Sequence, residues 1–425
     1  MPKKFQSVSG MHDVFGEDYD YLERIRDVVR KNAETYGFEG IEVPVMEDKR
    51  VFSRTVGEQT DIVEKEMYTF KTKGGDEVAL RPEGTASIMR AFIEHNLYTW
   101  PQPVKFFYFE PFFRYERAQA GRYRQFWQFG FEVIGKGGPI VDAQVIKLTH
   151  NIFKELGVGD VEVKINHMGD ETCRESFKEE LKKYLRKESN FLCADCKRRM
   201  KKNPLRVLDC KECVKIRDNA PQIVDYICKK CKEDFKLTLE LLEEVGVPYD
   251  LDPFLVRGLD YYTGTVYEFF AQREEEEDKP LALGGGGRYD GLSELLGGDE
   301  RPATGAAMGV ERTALLMKER GVKIEKERPK VFIAQLGDLA KKKSLVLFEE
   351  LKKHKVPVAE SFGQDSLKGQ MARASKEGAV VTVIIGKQEA AEDAAILRDM
   401  ESGQQEKVKM KEVSKEVKRM IKARQ

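Results

Sequence analysis

The sequence predicts a mixed α/β protein in three parts. An α+β domain with a largely antiparallel sheet and flanking helices covers residues 1–326, a helical insertion interrupts it over 169–248, and a small α/β domain follows over 329–425. Three observations predict this. Segments rich in β-branched, aromatic or small residues recur between Val104 and Val310 with few helices among them, which favours antiparallel pairing over a doubly wound sheet. A stretch dense in Lys and Glu, Glu171 to Val245, breaks that pattern and holds all seven cysteines. Beyond a charged bridge, Lys318 to Lys330, short apolar runs alternate with helical segments, the pattern of a mostly parallel sheet.

Taken in order, Tyr19 to Tyr36 reads as an amphipathic helix, with Leu22, Ile25, Val29 and Ala33 near one face. Val104 to Tyr108, Phe126 to Ile134, Thr263 to Phe270 and Ala303 to Val310 read as strands, and Thr85 to Asn96 and Val141 to Leu156 as the helices between them. The insertion ends with helical period at Leu237, Leu241 and Leu242, and the sheet pattern resumes at Phe254. In the last unit Val331 to Gln335, Val356 to Glu360 and Val380 to Ile385 read as short buried strands, with helices at Ala340 to Lys353 and Ser366 to Lys376. Val413, Val417, Met420 and Ile421 stripe a final helix whose lysines form a solvated face.

A chain of 425 residues exceeds one ordinary domain, and its 41% apolar share is enough to bury cores. The 73 basic and 73 acidic residues cancel, so net charge lends nothing to a nucleic-acid reading. No apolar run follows the basic start Pro2-Lys3-Lys4, and no stretch approaches the roughly 20 apolar residues a membrane span needs. The expected compartment is therefore the cytosol, where cysteines serve as thiols or metal ligands rather than disulfides.

Four segments carry chemistry. Phe113-Arg114-Tyr115-Glu116-Arg117 and Gly121-Arg122-Tyr123-Arg124-Gln125-Phe126 alternate aromatics with charges, as strands flanking a loop do. Their arginines suit a triphosphate, since guanidinium binds phosphate oxygens bidentately, and Phe126 can stack on a base. An exposed hairpin with ordinary ion pairs is the plain alternative. Arg257-Gly258-Leu259-Asp260-Tyr261-Tyr262 places an arginine on a predominantly apolar strand, where it needs an anionic ligand or a partner such as Asp260. Gly284-Gly285-Gly286-Gly287-Arg288-Tyr289-Asp290 permits close backbone approach to a ligand, or a bulge; lacking a following Lys-Ser or Lys-Thr, it is not a Walker loop. Gly305 to Val310 is a strand of small residues, and Arg312 opens a helix after it, so a flat base could lie on the sheet beneath the guanidinium; close strand–helix packing is the plain alternative.

In this order the segments resemble the signatures of the class II aminoacyl-tRNA synthetases, and of the histidyl-tRNA synthetase family in particular. Ser9-Gly10-Met11-His12-Asp13-Val14 is similar to that family's N-terminal signature, Glu42-Val43-Pro44 falls in its motif 1 region, and Arg81-Pro82-Glu83-Gly84-Thr85 matches its amino-acid loop. Phe113-Arg114-Tyr115-Glu116 resembles motif 2 and Gly309-Val310-Glu311-Arg312 motif 3, while the Arg257 and Gly285-to-Asp290 segments resemble the two motifs peculiar to the histidine enzymes.

The resemblance implies activation of L-histidine by ATP with Mg²⁺, release of pyrophosphate, and transfer of histidine to tRNA(His) by a homodimer joined through the motif 1 region. It implies that Arg257 and Arg114 hold the α-phosphate, Arg122 the outer phosphates, and Phe126 and Arg312 the adenine, with Glu116 also in the ATP site. For histidine it implies Glu132 and Tyr262 at the imidazole, Glu83, Thr85 and Gln128 at the α-amino group, and Tyr289 lining the same pocket. Such a polar pocket rejects apolar amino acids, whose binding would leave its buried groups unpaired. Gln119 falls where the family approaches the tRNA acceptor end; Ala118 and Ala120 replace the Pro and Lys common there, which removes a positive charge on the RNA side.

Three further pairs, Cys193/Cys196, Cys210/Cys213 and Cys228/Cys231, have zinc-knuckle spacing, and any two could form a four-thiolate site. Reduced thiols in a helical insertion are the plain alternative. Two rival functions are a regulatory paralogue of histidine biosynthesis and a structural RNA-binding relative. The retained Arg114, Arg257 and Arg312, the 331–425 segment and the intact histidine pocket argue against them.

Overall fold

The computed structural model describes residues 4–58, 60–117, 121–273, 280–325 and 329–423. Gln119, with Ala118 and Ala120, lies outside the described residues. The chain forms two compact units, Met1–Ile324 and Glu325–Gln425.

The first unit is built on an eight-stranded sheet of β1 (Glu39–Gly40), β2 (Val104–Phe113), β3 (Gln125–Ile134), β4 (Val161–His167), β5 (Tyr249–Leu251), β6 (Thr263–Ala271), β7 (Leu281–Arg288) and β8 (Ala303–Gly309). Their order across the sheet is β1-β2-β3-β8-β7-β6-β4-β5. All inner pairs are antiparallel; only the edge pairs β1–β2 and β4–β5 are parallel. Strand β2 shows why the sequence adopts this form. Its residues alternate buried and half-buried along its length, the period of a pleated ribbon with one face in a core. One face carries the helices Glu17–Thr35, Pro139–Leu156 and Val310–Glu319, which bury Ile25, Val29, Ile146, Phe153 and Leu316 against Phe129, Phe131 and Phe269 of the sheet. Three acidic residues in the first turn of Glu17–Thr35 suit the positive end of its dipole.

The insertion is helical, with Glu171–Lys187, Ala194–Lys202, Val214–Arg217 and Lys229–Glu244 as its α-helices, and it shares a core with the other face of the sheet. A small antiparallel sheet of 46–48, 69–71 and 77–80 precedes helix Thr85–Glu94. Among the described residues no helix is long and apolar enough to cross a membrane.

The second unit is a five-stranded sheet with strand order 358–360, 331–335, 381–385, 394–399, 405–409, packed by helices Asp338–Lys353, Leu367–Glu377 and Val413–Lys422. Its first two pairings are parallel as expected, but the last two are antiparallel, so the expectation of a mostly parallel sheet needs correction. The outer strand Gln405–Lys409 buries only Val408, which left no apolar run to announce it.

Candidate active site

An arginine-lined cavity of about 300 Å³ opens over the middle strands of the first sheet. Its position follows from a run of glycines. A methyl group on Gly285 would meet the Tyr267 carbonyl at 2.3 Å and the Arg257 guanidinium at 2.8 Å, so the bare strand makes the room that Arg257 occupies. Arg257 itself is not on a strand, as the sequence suggested, but in the loop before β6. The chain turns at Asp252-Pro253, where the Asp252 side chain accepts the Phe254 N–H at 3.0 Å and its carbonyl accepts the Leu255 N–H. Nor is Asp260 the partner of Arg257; Glu268 of β6 is, at 3.2 Å, while Asp260 accepts from Asn203 of the insertion at 2.8 Å. The Arg257 Nε is buried with no partner among the described residues, so one of its donors is free for a ligand there.

The other cavity arginines are held from behind. Arg114 leaves the end of β2, donates to the Pro82 carbonyl at 2.9 Å and lies 5.3 Å over the Phe126 ring. Arg312 opens helix Val310–Glu319 and donates to the carbonyls of Ala282 at 2.7 Å and Gly121 at 3.2 Å. Arg122 pairs with Glu116 at 3.4 Å. Burial and the cationic Arg122 push the Arg312 guanidinium below its ordinary value. These four arginines line the cavity together with Phe126, and Arg257 also stands 5.8 Å from the Tyr262 ring centroid.

At the other end the site turns acidic and phenolic. The loop Arg81-Pro82-Glu83-Gly84-Thr85 is anchored by a buried pair, Arg81 to Glu110 at 2.7 Å, with further Arg81 bonds to the Val43 and Pro111 carbonyls. Glu83 then accepts the N–H groups of Thr85 and Ala86 at 2.8 and 2.9 Å, capping the helix that starts at Thr85. Burial nevertheless raises its carboxyl above the usual carboxylate range.

Deeper still lies Glu132 of β3, 1% exposed, which accepts from Thr85 Oγ1 at 2.7 Å and from the Tyr289 hydroxyl. Burial pushes its carboxyl up to about 8, against the lowering effect of those two hydrogen bonds. Gly305 on the neighbouring strand makes room for it: a methyl there would sit 2.0 Å from Glu132 Oε2. Tyr261, Tyr262 and Tyr289 pack ring against ring beside it, with centroids 4.8 to 6.4 Å apart. The Gln128 side-chain oxygen is buried with no partner among the described residues.

The cavity thus brings together Glu83, Thr85, Arg114, Glu116, Arg122, Phe126, Gln128, Arg257, Tyr262 and Arg312. Glu132 and Tyr289 do not line it; they lie beneath Thr85, bonded to each other. Sequence reasoning missed Glu268, although it is the single charged residue of β6, a signal that it has a partner. It also gave no role to Glu311, which accepts the Trp127 N–H at 2.8 Å and is pushed up to about 7 by burial.

A mainly antiparallel sheet that carries this cavity, followed in sequence by a small α/β unit, is the architecture expected of a class II aminoacyl-tRNA synthetase. A histidyl-tRNA synthetase family model matches residues 10–189 and 194–313, and an anticodon binding domain model matches 330–420. The histidine–tRNA ligase of Thermosipho melanesiensis is 41% identical over 402 residues, 94% of this chain and 95% of its own length. That of Desulforudis audaxviator is 43% identical over 413 residues, 96% and 97% of the two chains. The apo histidyl-tRNA synthetase of S. aureus superposes with a TM-score of 0.83 at 33% identity, covering 98% of this chain and all of its own. The chain belongs to the histidyl-tRNA synthetase family, with the activity of a histidine–tRNA ligase.

Proposed function

We propose that this cavity is where histidine and ATP meet, with the cationic side for the nucleotide and the Glu132 end for the amino acid. Arg257 and Arg114 hold the α-phosphate, Arg122 and Glu116 belong to the outer-phosphate side, and the adenine lies between Phe126 and Arg312. The histidine carboxylate attacks the α-phosphorus as pyrophosphate leaves. Charge builds on the non-bridging oxygens, and Arg257, already fixed by Glu268, stabilises it without reorganising. The α-amino group sits among Glu83, Thr85 and Gln128, whose unpartnered oxygen supports an acceptor role toward a cationic ligand.

Imidazole recognition falls to Glu132 and Tyr262, with Tyr289 fixing the carboxyl. Both Glu132 oxygens are already hydrogen-bonded, so an imidazole N–H would share or displace the Thr85 or Tyr289 bond. The observation that carries this reading is the buried triad Thr85–Glu132–Tyr289, which meets the arginine-lined cavity through Thr85.

Mg²⁺ fits as the companion of the β- and γ-phosphates, where it would neutralise charge. Glu116, which lines the cavity and meets Arg122 at 3.4 Å, is the carboxylate that would receive it. Gln119 approaches the tRNA acceptor end in this reading, and the basic groove of Lys178, Lys182, Lys202 and Arg206 beside Arg257 offers charge to the same RNA. The 330–420 unit reads the anticodon, the enzyme works in the cytoplasm as a homodimer joined through the Glu42-Val43-Pro44 region, and zinc is held by cysteines of the insertion.

Separate equilibrium binding of histidine and ATP to Glu132→Ala tests the assignment. Histidine affinity should fall at least tenfold with ATP affinity within a few fold of wild type. Equal losses for both ligands contradict it.

A further inference from the structure

The seven cysteines do not behave as three interchangeable pairs. We propose that the insertion carries two tetrahedral zinc sites, one formed by Cys193, Cys196, Cys210 and Cys213 and the other by Asp170, Cys173, Cys228 and Cys231. This deepens the zinc reading given above and rests on it.

In each group the four ligand atoms lie within 4.8 Å of one another. The Cys193 and Cys210 sulfurs, from different knuckles, are 3.8 Å apart. A zinc–sulfur bond of about 2.3 Å gives a tetrahedron with an edge of about 3.8 Å, so the thiols already stand at the spacing the ion requires. Backbone amides point at the sulfurs, as thiolate charge demands. Cys196 N–H donates to Cys193 Sγ at 3.4 Å, and Cys193 N–H donates to Cys213 Sγ at 3.3 Å.

The second site draws Cys173, the residue left over by the spacing of the pairs, to Cys228 and Cys231. The Cys228 N–H donates to Cys173 Sγ at 3.0 Å. Asp170 supplies the fourth ligand by dividing its carboxylate. Oδ1 caps the helix Glu171–Lys187 through the Cys173 N–H at 2.8 Å, which leaves Oδ2 3.5 and 3.7 Å from the sulfurs of Cys228 and Cys231. Simple apolar burial explains one packed cysteine. It does not explain four ligand atoms converging twice, once with a carboxylate among them. Thiolate-rich tetrahedra favour zinc over harder ions.

The sites differ in access and in consequence. Three of the four ligands of the first are buried, whereas Asp170 and Cys228 of the second are exposed. The first site also closes the strip 194–210. That strip docks on the rest of the unit through Arg199 to Asp61 at 2.8 Å and Asn203 to Asp260 at 2.8 Å, and its Asp209 lines the cavity with Arg257. Zinc there holds a wall of the active site in place.

Elemental analysis of the full-length protein, purified without added metal or chelator, should find two zinc ions per chain. Cys193→Ser with Cys196→Ser, and Cys228→Ser with Cys231→Ser, should each leave one. Asp170→Asn should speed loss of a single zinc to EDTA at least tenfold while the other remains. Should either double variant misfold, cobalt exchange into the native protein still decides, through thiolate charge-transfer bands that saturate at two ions per chain. Zinc-free native protein whose thiols titrate freely, iron with sulfide in place of zinc, or a single zinc indifferent to Cys228 and Cys231 overturns the proposal. Histidine-dependent activity in such zinc-free protein would leave the catalytic reading standing and remove only this one.

Discussion

Replacing Glu132 by Gln should make the protein more stable at neutral pH and worse at binding histidine. The carboxyl is fully buried and its value is raised from about 4.5 to about 8. A raised value means that folding favours the protonated form. Stability from this group is therefore fully present below pH 4.5 and is lost progressively as pH rises toward 8. The loss accumulates at about 1.4 kcal/mol per pH unit, or about 3 kcal/mol by pH 7. Glutamine carries no such cost, and it can keep both hydrogen bonds: its oxygen accepts from Tyr289, and its amide donates to Thr85 Oγ1. One amide hydrogen is left without a partner, which returns about 1–2 kcal/mol. The expected net gain is about 1–2 kcal/mol at pH 7, turning into a deficit of about 1–2 kcal/mol below pH 4.5, where only the unpartnered amide remains. Denaturant unfolding of the two proteins at pH 4.5, 6, 7 and 8 reads this directly. A variant that is equally stable at every pH, or that loses ground to wild type as pH rises, refutes the reasoning.

Other outcomes follow from the same geometry. Arg257→Ala should lower adenylate formation by about 10²–10³ in kcat, the usual effect of removing one fixed donor from a developing oxyanion, with histidine binding little changed; single-turnover kinetics with unaltered adenylate formation would refute the role. Gly305→Ala forces a methyl to 2.0 Å from Glu132 Oε2 and 2.5 Å from the Phe131 carbonyl, so it should both lower the denaturation midpoint and cut histidine affinity at least tenfold; histidine titration of the folded variant with unchanged affinity would refute the packing. Breaking the buried Arg81–Glu110 pair by Arg81→Ala leaves a carboxylate unpaired in the core and should cost about 3–5 kcal/mol in denaturant unfolding.

Much of the sheet was legible because its strands concentrate β-branched, aromatic and small residues between charged loops. Val104 to Tyr108 was marked by its aromatic residues, and the strand runs on to Phe113, where Glu110 and Pro111 interrupt that composition while burial still alternates residue by residue. The glycine strand was visible as a close approach, though its occupant, Arg257, was not, because a glycine run does not say what fills the space it leaves. Arg257 was misplaced onto a strand because the apolar residues around it resemble one; the Asx turn at Asp252 that makes the segment a loop is a single side-chain bond, too local for a periodicity argument. The arginines and the carboxylate of the site were legible as residues, but not as partners. That Glu268 rather than Asp260 meets Arg257 depends on the register of β6 against β7, which brings Glu268 opposite Gly285. The division of the cysteines likewise depends on where two helices end in space, and pair spacing alone carries no information about Cys173 or Asp170.

The proposed assignment requires that the cavity admit histidine, and no other amino acid, for activation on its arginines. ATP–pyrophosphate exchange by the purified protein with Mg²⁺, run separately with each standard amino acid, tests it most directly. Exchange should depend on histidine and stay at background with the others, because an apolar side chain can take up none of the hydrogen bonds that the buried groups around Glu132 and Tyr262 offer an imidazole, and nothing then offsets their desolvation. Comparable exchange with another amino acid, or none with histidine from folded protein that still binds it, would contradict the central claim.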